Sequence, residues 1–208
     1  MISILLFTLT SFLIGLSGAM APGPLLTVTV SDSIRRGFRA GPLLVAGHVL
    51  GEALLVTLIL MGLGYILRSG PAPAILGTAG GAVLIWMGIL GFRDSEDTEN
   101  IPEGGSILRG AIISFANPYF FLWWGAVGAA LMYRGLELAG VLGLLAFLAG
   151  HWSSDLTWYS LVSFLSSRKS FRMDGRPYKI VMMILSLFLI LFGVYFLIES
   201  LKTISGYS

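Results

Sequence analysis

Six long apolar segments, separated by short charged gaps, constrain the fold of this chain more than any other feature of its sequence. A helix needs about 20 mostly apolar residues to cross a hydrocarbon core. Only 12% of the 208 residues are charged, whereas a soluble domain usually has about a quarter. The sequence therefore predicts an all-α integral membrane protein with six transmembrane helices, over residues 3–30, 41–67, 73–92, 106–133, 137–165 and 178–200. The third segment is the shortest of the six.

The basic residues lie mostly in the first, third and fifth gaps between these segments. The positive-inside rule places such gaps in the cytoplasm, so we expect a multi-pass protein of the cytoplasmic (inner) membrane with both termini outside. No Lys or Arg precedes Arg35, so the first segment lacks the basic start of a signal peptide and is predicted to remain as a span. The other side has Arg68, Arg134 and Lys202, against ten basic residues in those gaps: Arg35, Arg36, Arg39, Arg93, Arg109, Arg168, Lys169, Arg172, Arg176 and Lys179.

An Ala-Gly-His motif followed by an acid occurs twice, in the second and the fifth segments. His48 is followed four residues later by Glu52, and His151 is followed four residues later by Asp155. On a helix, each acid therefore lies one turn from its histidine on the same face. Ionisable pairs inside a membrane are energetically costly and usually mark a substrate or ion path. The alternative is that each pair only ties helices together.

Proline motifs are expected to break the first and the fourth segments. Pro22, Gly23 and Pro24 occur in a row in the first, and Asn117 precedes Pro118 in the fourth. Proline removes a backbone donor and clashes with the preceding turn. Backbone groups freed in this way must face protein or a water-filled cavity.

The order of these features is the same in the two halves of the chain: a broken helix, a helix with the histidine motif, and a third helix. The halves are residues 1–92 and 106–208, joined by an acidic cytoplasmic linker over residues 93–105. Because each half has three spans, the second half must enter the membrane from the opposite side. Two inverted three-helix repeats with broken helices 1 and 4 are an architecture of secondary transporters.

The sequence also resembles the lysine exporter (LysE/RhtB) family of amino-acid efflux transporters. The resemblance rests on the Pro-Gly-Pro motif, the Arg-Arg-Gly-Phe-Arg-Ala-Gly loop over residues 35–41, Gly51-Glu52 and Asn117-Pro118. It implies export of amino acids or similar small metabolites, driven by the proton motive force. It also implies substrate-path roles for Pro22, Gly23, Pro24, Glu52, Asn117 and Pro118.

Three features depart from the family pattern. Tyr119 stands where Lys often follows Asn-Pro, Glu52 stands where Asp is typical, and His48 and His151 are not part of the pattern. Related families in the same superfamily are associated with metal cations. A divalent cation transporter is therefore the main alternative, with His48, Glu52, His151 and Asp155 as ligands for zinc, manganese or cobalt.

The predicted chemistry is antiport of a substrate against protons. Burial disfavours the charged forms of both carboxylates and histidines, so each pair could take up and release a proton. A carboxylate would bind a substrate amino group, and the opened first helix could bind its carboxylate. A membrane-embedded hydrolase is a third alternative, but no catalytic motif is present, so we do not expect an enzyme. We expect no cofactor and no nucleic acid, and contacts with an amino acid, protons and the lipid bilayer. A homodimer is compatible with the sequence.

Overall fold

The computed structural model describes residues 2–63, 72–92, 103–168 and 176–205, and these residues are helical almost throughout. The third helix ends in a π-helical turn, Ile59–Leu63, which is interrupted at Gly62 with a φ of 103°, and another π-helical turn, Trp124–Gly128, joins the sixth helix to the seventh. Nine α-helices make up these ranges: α1 Ile2–Ala19, α2 Pro24–Arg36, α3 Ala40–Leu58, α4 Ala72–Phe92, α5 Glu103–Ala116, α6 Pro118–Trp123, α7 Ala129–Ala139, α8 Val141–Ser166 and α9 Arg176–Ser205.

Several features of the sequence analysis lie outside the described residues. They are most of the acidic linker, over residues 93–102, and four of the counted basic residues: Arg68, Arg93, Lys169 and Arg172.

The break predicted at Pro22–Pro24 is present as a bend of 79° between α1 and α2. Gly23 is extended, and Pro24 occupies the first turn of α2, where a missing backbone donor does no harm. The second predicted break is also present. Asn117 is extended between α5 and α6, and its side-chain oxygen accepts a hydrogen bond from Tyr119 N at 3.1 Å. Each break therefore begins a new helix whose first turn contains proline.

Within the described ranges, two helices are long and apolar enough to cross a membrane by length and composition. They are Ala40–Gly62 and Lys179–Lys202, and the bent pair Ser3–Ala19 and Pro24–Arg36 would make a third. Ala74–Ile89 and Gly105–Ala116 are shorter apolar helices. The 26-residue α8 has polar residues near its middle, including His151 and Asp155. The count of six spans stays a prediction.

The two halves of the chain exchange their first helices. α1 packs along α8 of the second half, α5 packs along α3 of the first half, and α4 packs along α9. Glycines of the repeated motif permit the first two contacts, because a Cβ at Gly47 would overlap the Ile107 carbonyl and one at Gly150 would overlap the Thr8 carbonyl. Small residues at such positions let helix backbones approach closely in membranes. The histidine-bearing helices α3 and α8 are thereby held in contact with each other.

A buried ion pair ties α2 to α5 at one end of the molecule. Arg109 Nη1 lies 3.0 and 3.1 Å from the two carboxylate oxygens of Asp32, whose side chain is almost fully buried. Arg36 lies 3.9 Å from the same carboxylate and donates to Ser106 Oγ. Asp32 belongs to none of the motifs of the sequence, although its partners Arg36 and Arg109 are among the basic residues of the gaps.

Large apolar side chains are exposed along the outer helices. On α1 they include Leu5 at 71% and Leu13 at 57% exposure, and on α9 Ile184 at 59% and Leu191 at 60%. Soluble monomers rarely expose contiguous apolar surface of this extent. This surface is therefore suited to lipid rather than to water.

Candidate functional site

The two repeated His–acid pairs meet at a single point between α3 and α8. Glu52 lies at its centre and is only 1% exposed. Its Oε1 atom lies 3.2 Å from His48 Nε2 on the same helix and 2.9 Å from His151 Nε2 on α8. The same oxygen accepts a hydrogen bond from Trp124 Nε1 at 3.1 Å. One carboxylate oxygen therefore joins both histidines to the π-helical turn after the second break.

Asp155 completes the cluster from α8. Its Oδ2 atom lies 3.5 Å from His151 Nε2, and the residue is 2% exposed. Within the described part of the chain, neither Asp155 Oδ2 nor Glu52 Oε2 has a hydrogen-bond partner. A buried carboxylate oxygen without a partner is energetically costly. Both atoms are therefore available to a ligand or to a proton.

The two histidines differ in their surroundings. His48 Nδ1 lies 2.5 Å from Ser114 Oγ of α5. The His151 ring is stacked on Trp123 with ring centroids 4.6 Å apart and on Phe147 at 5.9 Å. His151 Nδ1 is buried with no hydrogen-bond partner among the described residues. The aromatic stack fixes the orientation of the His151 ring, whereas His48 is held at Nδ1 by Ser114 and faces Glu52 Oε1 with Nε2.

A cavity of about 650 Å³, including the space at its mouth, opens onto this cluster. Both helix breaks reach it, through Pro22 and Gly23 at the first and Asn117 at the second. The start of α2 also faces it through Leu25, and Gly23 provides no side-chain cap for that helix. Six aromatic side chains contribute to the wall: Tyr119, Phe120, Trp123, Trp124, Tyr159 and Phe192.

Seven of the nine residues predicted for the substrate or ion path line this cavity: Pro22, Gly23, His48, Glu52, Asn117, His151 and Asp155. Two do not. Pro24 is buried in the first turn of α2. Pro118 packs against Gly80 of α4, where an added Cβ would lie 2.6 Å from the proline ring. Both prolines shape the breaks without reaching the cavity wall.

Other residues of the site were not singled out by their spacing in the sequence. Trp124 follows the second break at no spacing that marks it, and its bond to Glu52 joins residues 72 positions apart. Ser114 carried no signal beyond its place one turn before Pro118. Both contacts depend on which helices pack together, and residue periodicity within one helix does not report that packing.

The donor set also has the geometry of a cation site. Ligand atoms from His48, Glu52 and Asp155 all lie within 4.8 Å of one another. Imidazole and carboxylate ligands suit zinc and related divalent metals. The unpartnered oxygens of Glu52 and Asp155 fit such an ion as well as they fit a substrate ammonium group.

Comparison with known proteins identifies the family. The chain is 31% identical over 156 residues to the chemotactic transduction protein ChpE of Pseudomonas aeruginosa, an alignment that covers 72% of this chain and 77% of that protein. No solved structure matches the chain. The LysE type translocator family matches residues 16–200, which include both breaks, both His–acid pairs and the whole cavity lining. The chain therefore belongs to the LysE type translocator family and is a multi-pass membrane transporter rather than an enzyme.

Proposed function

We propose that this protein exports amino acids or similar small metabolites across the cytoplasmic membrane in exchange for protons. The observation that carries the proposal is the meeting of two carboxylates and two histidines in one cavity bounded by both helix breaks. Membrane transporters place substrate and coupling-ion sites near such breaks, at the interface of their repeats. The exchanged packing of α1 with α8 and of α5 with α3 supports two inverted repeats, residues 1–92 and 106–208.

A zwitterionic amino acid complements the charges of the cavity. Its ammonium group would bind Glu52 Oε2 and Asp155 Oδ2, two buried carboxylate oxygens without hydrogen-bond partners among the described residues. No Lys or Arg occurs among the described residues that line the cavity, so the substrate carboxylate would bind at the uncapped N-terminus of α2, where free amides and the helix dipole favour an anion. The aromatic side chains of the wall would contact an apolar side chain of the substrate or, through their ring faces, a cationic one.

Exchange follows from competition for the same carboxylates. A deeply buried carboxylate is unfavourable when it is charged and unpaired. It is therefore neutralised either by a proton or by the ammonium group of the substrate. Arrival of one would release the other, and the protein would move protons inward as substrate leaves.

Transport of a divalent cation is the second candidate. It is favoured by the approach of His48, Glu52 and Asp155 ligand atoms to within 4.8 Å. Against it stands the extent of the cavity lining, which reaches both helix breaks and includes six aromatic side chains, because a bare ion would need only the polar cluster. The cavity therefore favours an organic substrate.

A solute panel in proteoliposomes tests the proposal. Purified protein would be reconstituted with an imposed pH gradient and supplied with radiolabelled amino acids or with Zn²⁺, Mn²⁺ and Co²⁺, with protein-free liposomes as the control. Gradient-driven amino-acid flux is expected. Cation flux alone would favour the metal alternative. Binding without flux of any solute would overturn the proposed exchange of amino acids for protons.

A further inference from the structure

The two His–acid pairs belong to one repeated motif, but the residue next to the Nδ1 atom differs between His48 and His151. Gly47 on α3 approaches the backbone of Ile107 and Ala111, and Gly150 on α8 approaches the equivalent backbone of Thr8 and Phe12. Counted from the equivalent residues Ile107 and Thr8, Ser114 on α5 and Gly15 on α1 occupy corresponding positions. The histidines confirm the correspondence, because Ser114 contacts His48 Nδ1 and an added Cβ at Gly15 would lie 2.7 Å from His151 Nδ1.

The hydrogen bonds of Ser114 determine which nitrogen of His48 carries a hydrogen. Ser114 Oγ lies 2.7 Å from the Gly110 carbonyl oxygen and 2.5 Å from His48 Nδ1, but a serine hydroxyl has only one hydrogen. The carbonyl oxygen can only accept, so the hydroxyl must donate to it, which is the usual bond of a helical serine. His48 Nδ1 must then donate its own hydrogen to Ser114 Oγ. The opposite arrangement would leave two oxygens in contact with no hydrogen between them.

We propose that Ser114 is a positioning residue that holds His48 in the form with hydrogen on Nδ1, so that Nε2 alone faces Glu52. The single proton between His48 Nε2 and Glu52 Oε1 then belongs to one atom or the other over a distance of 3.2 Å. This proton can leave His48 only toward Glu52 and the cavity. Of the two histidines, His48 is therefore the one that exchanges a proton with Glu52.

His151 has a different task because Gly15 offers no acceptor. A doubly protonated His151 would leave Nδ1–H buried without a partner, which is costly. Its Nε2 instead donates to Glu52 Oε1 at 2.9 Å, and the rings of Trp123 and Phe147 hold it in that orientation. His151 is thus a fixed donor to Glu52, and the difference between Ser114 and Gly15 gives the two histidines different roles.

The groups around His48 do not provide another partner for Nδ1. Three charged or titratable groups act on the ring, and all of them lie on its own helix or on α8. The residues of α5 and α6 that contact it are uncharged. The three titratable groups are Glu52, His151 and Asp155, and the uncharged neighbours are Ser114 and Phe120.

The test uses nitrogen-15 NMR of the full-length protein labelled at histidine, in detergent micelles or bilayers. The chain has only two histidines, so His48→Gln and His151→Gln variants assign the signals. We expect His48 to show a protonated Nδ1, and Ser114→Ala to shift its ring toward the form protonated on Nε2 by about tenfold in population. Ser114→Thr, which keeps the hydroxyl, should restore the wild-type signature. The inference is overturned if wild-type His48 has a bare Nδ1 or if Ser114→Ala leaves the spectrum unchanged.

A matched control separates this effect from loss of a buried serine. Ser200 also donates to a carbonyl one turn back, Phe196 O at 2.7 Å, and is 4% exposed, but it does not line the cavity. Ser200→Ala should leave both histidine signatures and the transport rate unchanged. In proteoliposomes, Ser114→Ala should slow gradient-driven flux by about tenfold and Ser114→Thr should restore it. The flux measurement rests on the proposed proton exchange. If wild-type protein shows no flux, the proposed exchange fails, and the NMR measurement still decides the role of Ser114.

Discussion

At the scale of single residues, Glu52 Oε1 is the atom that the site is built around. It faces the Nε2 atoms of His48 and His151 and the indole N–H of Trp124, at distances of 2.9 to 3.2 Å. These groups come from three different parts of the chain, and in a low-dielectric site they polarise one another. Glu52 Oε2 is buried and has no partner among the described residues. One oxygen is thus held by the protein, and the other is left for the transported species.

Replacing Glu52 by Gln is expected to abolish proton-coupled transport while the protein stays inserted. The amide oxygen can still accept from Trp124 and His151, but the amide group cannot exchange a proton. Gradient-driven flux in proteoliposomes should fall to the level of protein-free liposomes. Asp155→Asn should slow flux by about tenfold, equivalent to about 1.4 kcal/mol in the barrier, because Asp155 is further from His151 at 3.5 Å. A Glu52→Gln protein with wild-type rate and pH dependence would show that the cluster is structural.

The sequence predicted part of this site and missed the rest for a physical reason. The spacing of four residues predicted that His48 would share a helix face with Glu52, and the two side chains lie 3.2 Å apart. The contact of His151 with Glu52 joins residues 99 positions apart. No periodicity within one helix reports which helices pack together. Ser114 was missed for the same reason, since it acts on a residue of another helix. Asp32 contacts Arg36 at a spacing of four residues on its own helix, but its closer partner Arg109 is 77 positions away.

At the scale of elements, the helix breaks and the repeated glycines decide where the site lies. The two breaks start α2 and α6 at the cavity, and the glycines bring α5 onto α3 and α1 onto α8. The sequence predicted both breaks, since proline is restrictive wherever it occurs. The repeated motif puts a glycine before each histidine, but the motif does not report that these glycines pack against the opposite half.

Changing Pro22 and Pro24 to Ala should leave a folded but inactive protein. Alanine restores the missing backbone donor and favours a continuous helix, so the bend of 79° between α1 and α2 should straighten. Straightening would remove the uncapped start of α2 from the cavity. Circular dichroism should show undiminished helix content, and flux should be lost. Full activity in this double variant would reduce the motif to an ordinary kink.

Replacing Gly47 by Ala should destabilise the protein by about 1–3 kcal/mol, the usual cost of overpacking. The new Cβ would overlap the Ile107 carbonyl, and backbone cannot move aside as a flexible side chain can. Gly125→Ala is the matched control, because a Cβ there would meet nothing within 4 Å. Thermal unfolding in detergent should show a lower midpoint for Gly47→Ala only. Equal midpoints would mean that α3 and α5 do not pack as closely as described.

At the scale of the whole molecule, the chain combines an apolar outer surface with a polar centre and one charged end. The exposed leucines and isoleucines of α1 and α9 suit lipid, and the titratable cluster is enclosed between the halves. Asp32, Arg36 and Arg109 form ion pairs where α2 ends and α5 begins. That end contains the first of the basic gaps, which the positive-inside rule places in the cytoplasm.

The topology predicted from the basic residues can be tested directly because the chain has no cysteine. Six spans with both termini outside place the Gly37–Phe38 turn between α2 and α3 in the cytoplasm, and Phe38 is 46% exposed. A single cysteine at Phe38 should therefore react with a membrane-impermeant maleimide only after the cells are permeabilised. A single cysteine at Ser208, which lies beyond the described residues, should react in intact cells. Both proteins should retain flux, which shows that the labelled molecules are folded.

Labelling of the two positions from the same side would mean that an odd number of the five segments after Phe38 crosses the membrane differently from the prediction. The third segment, whose helix α4 contains the short apolar stretch Ala74–Ile89, would then be the first to re-examine.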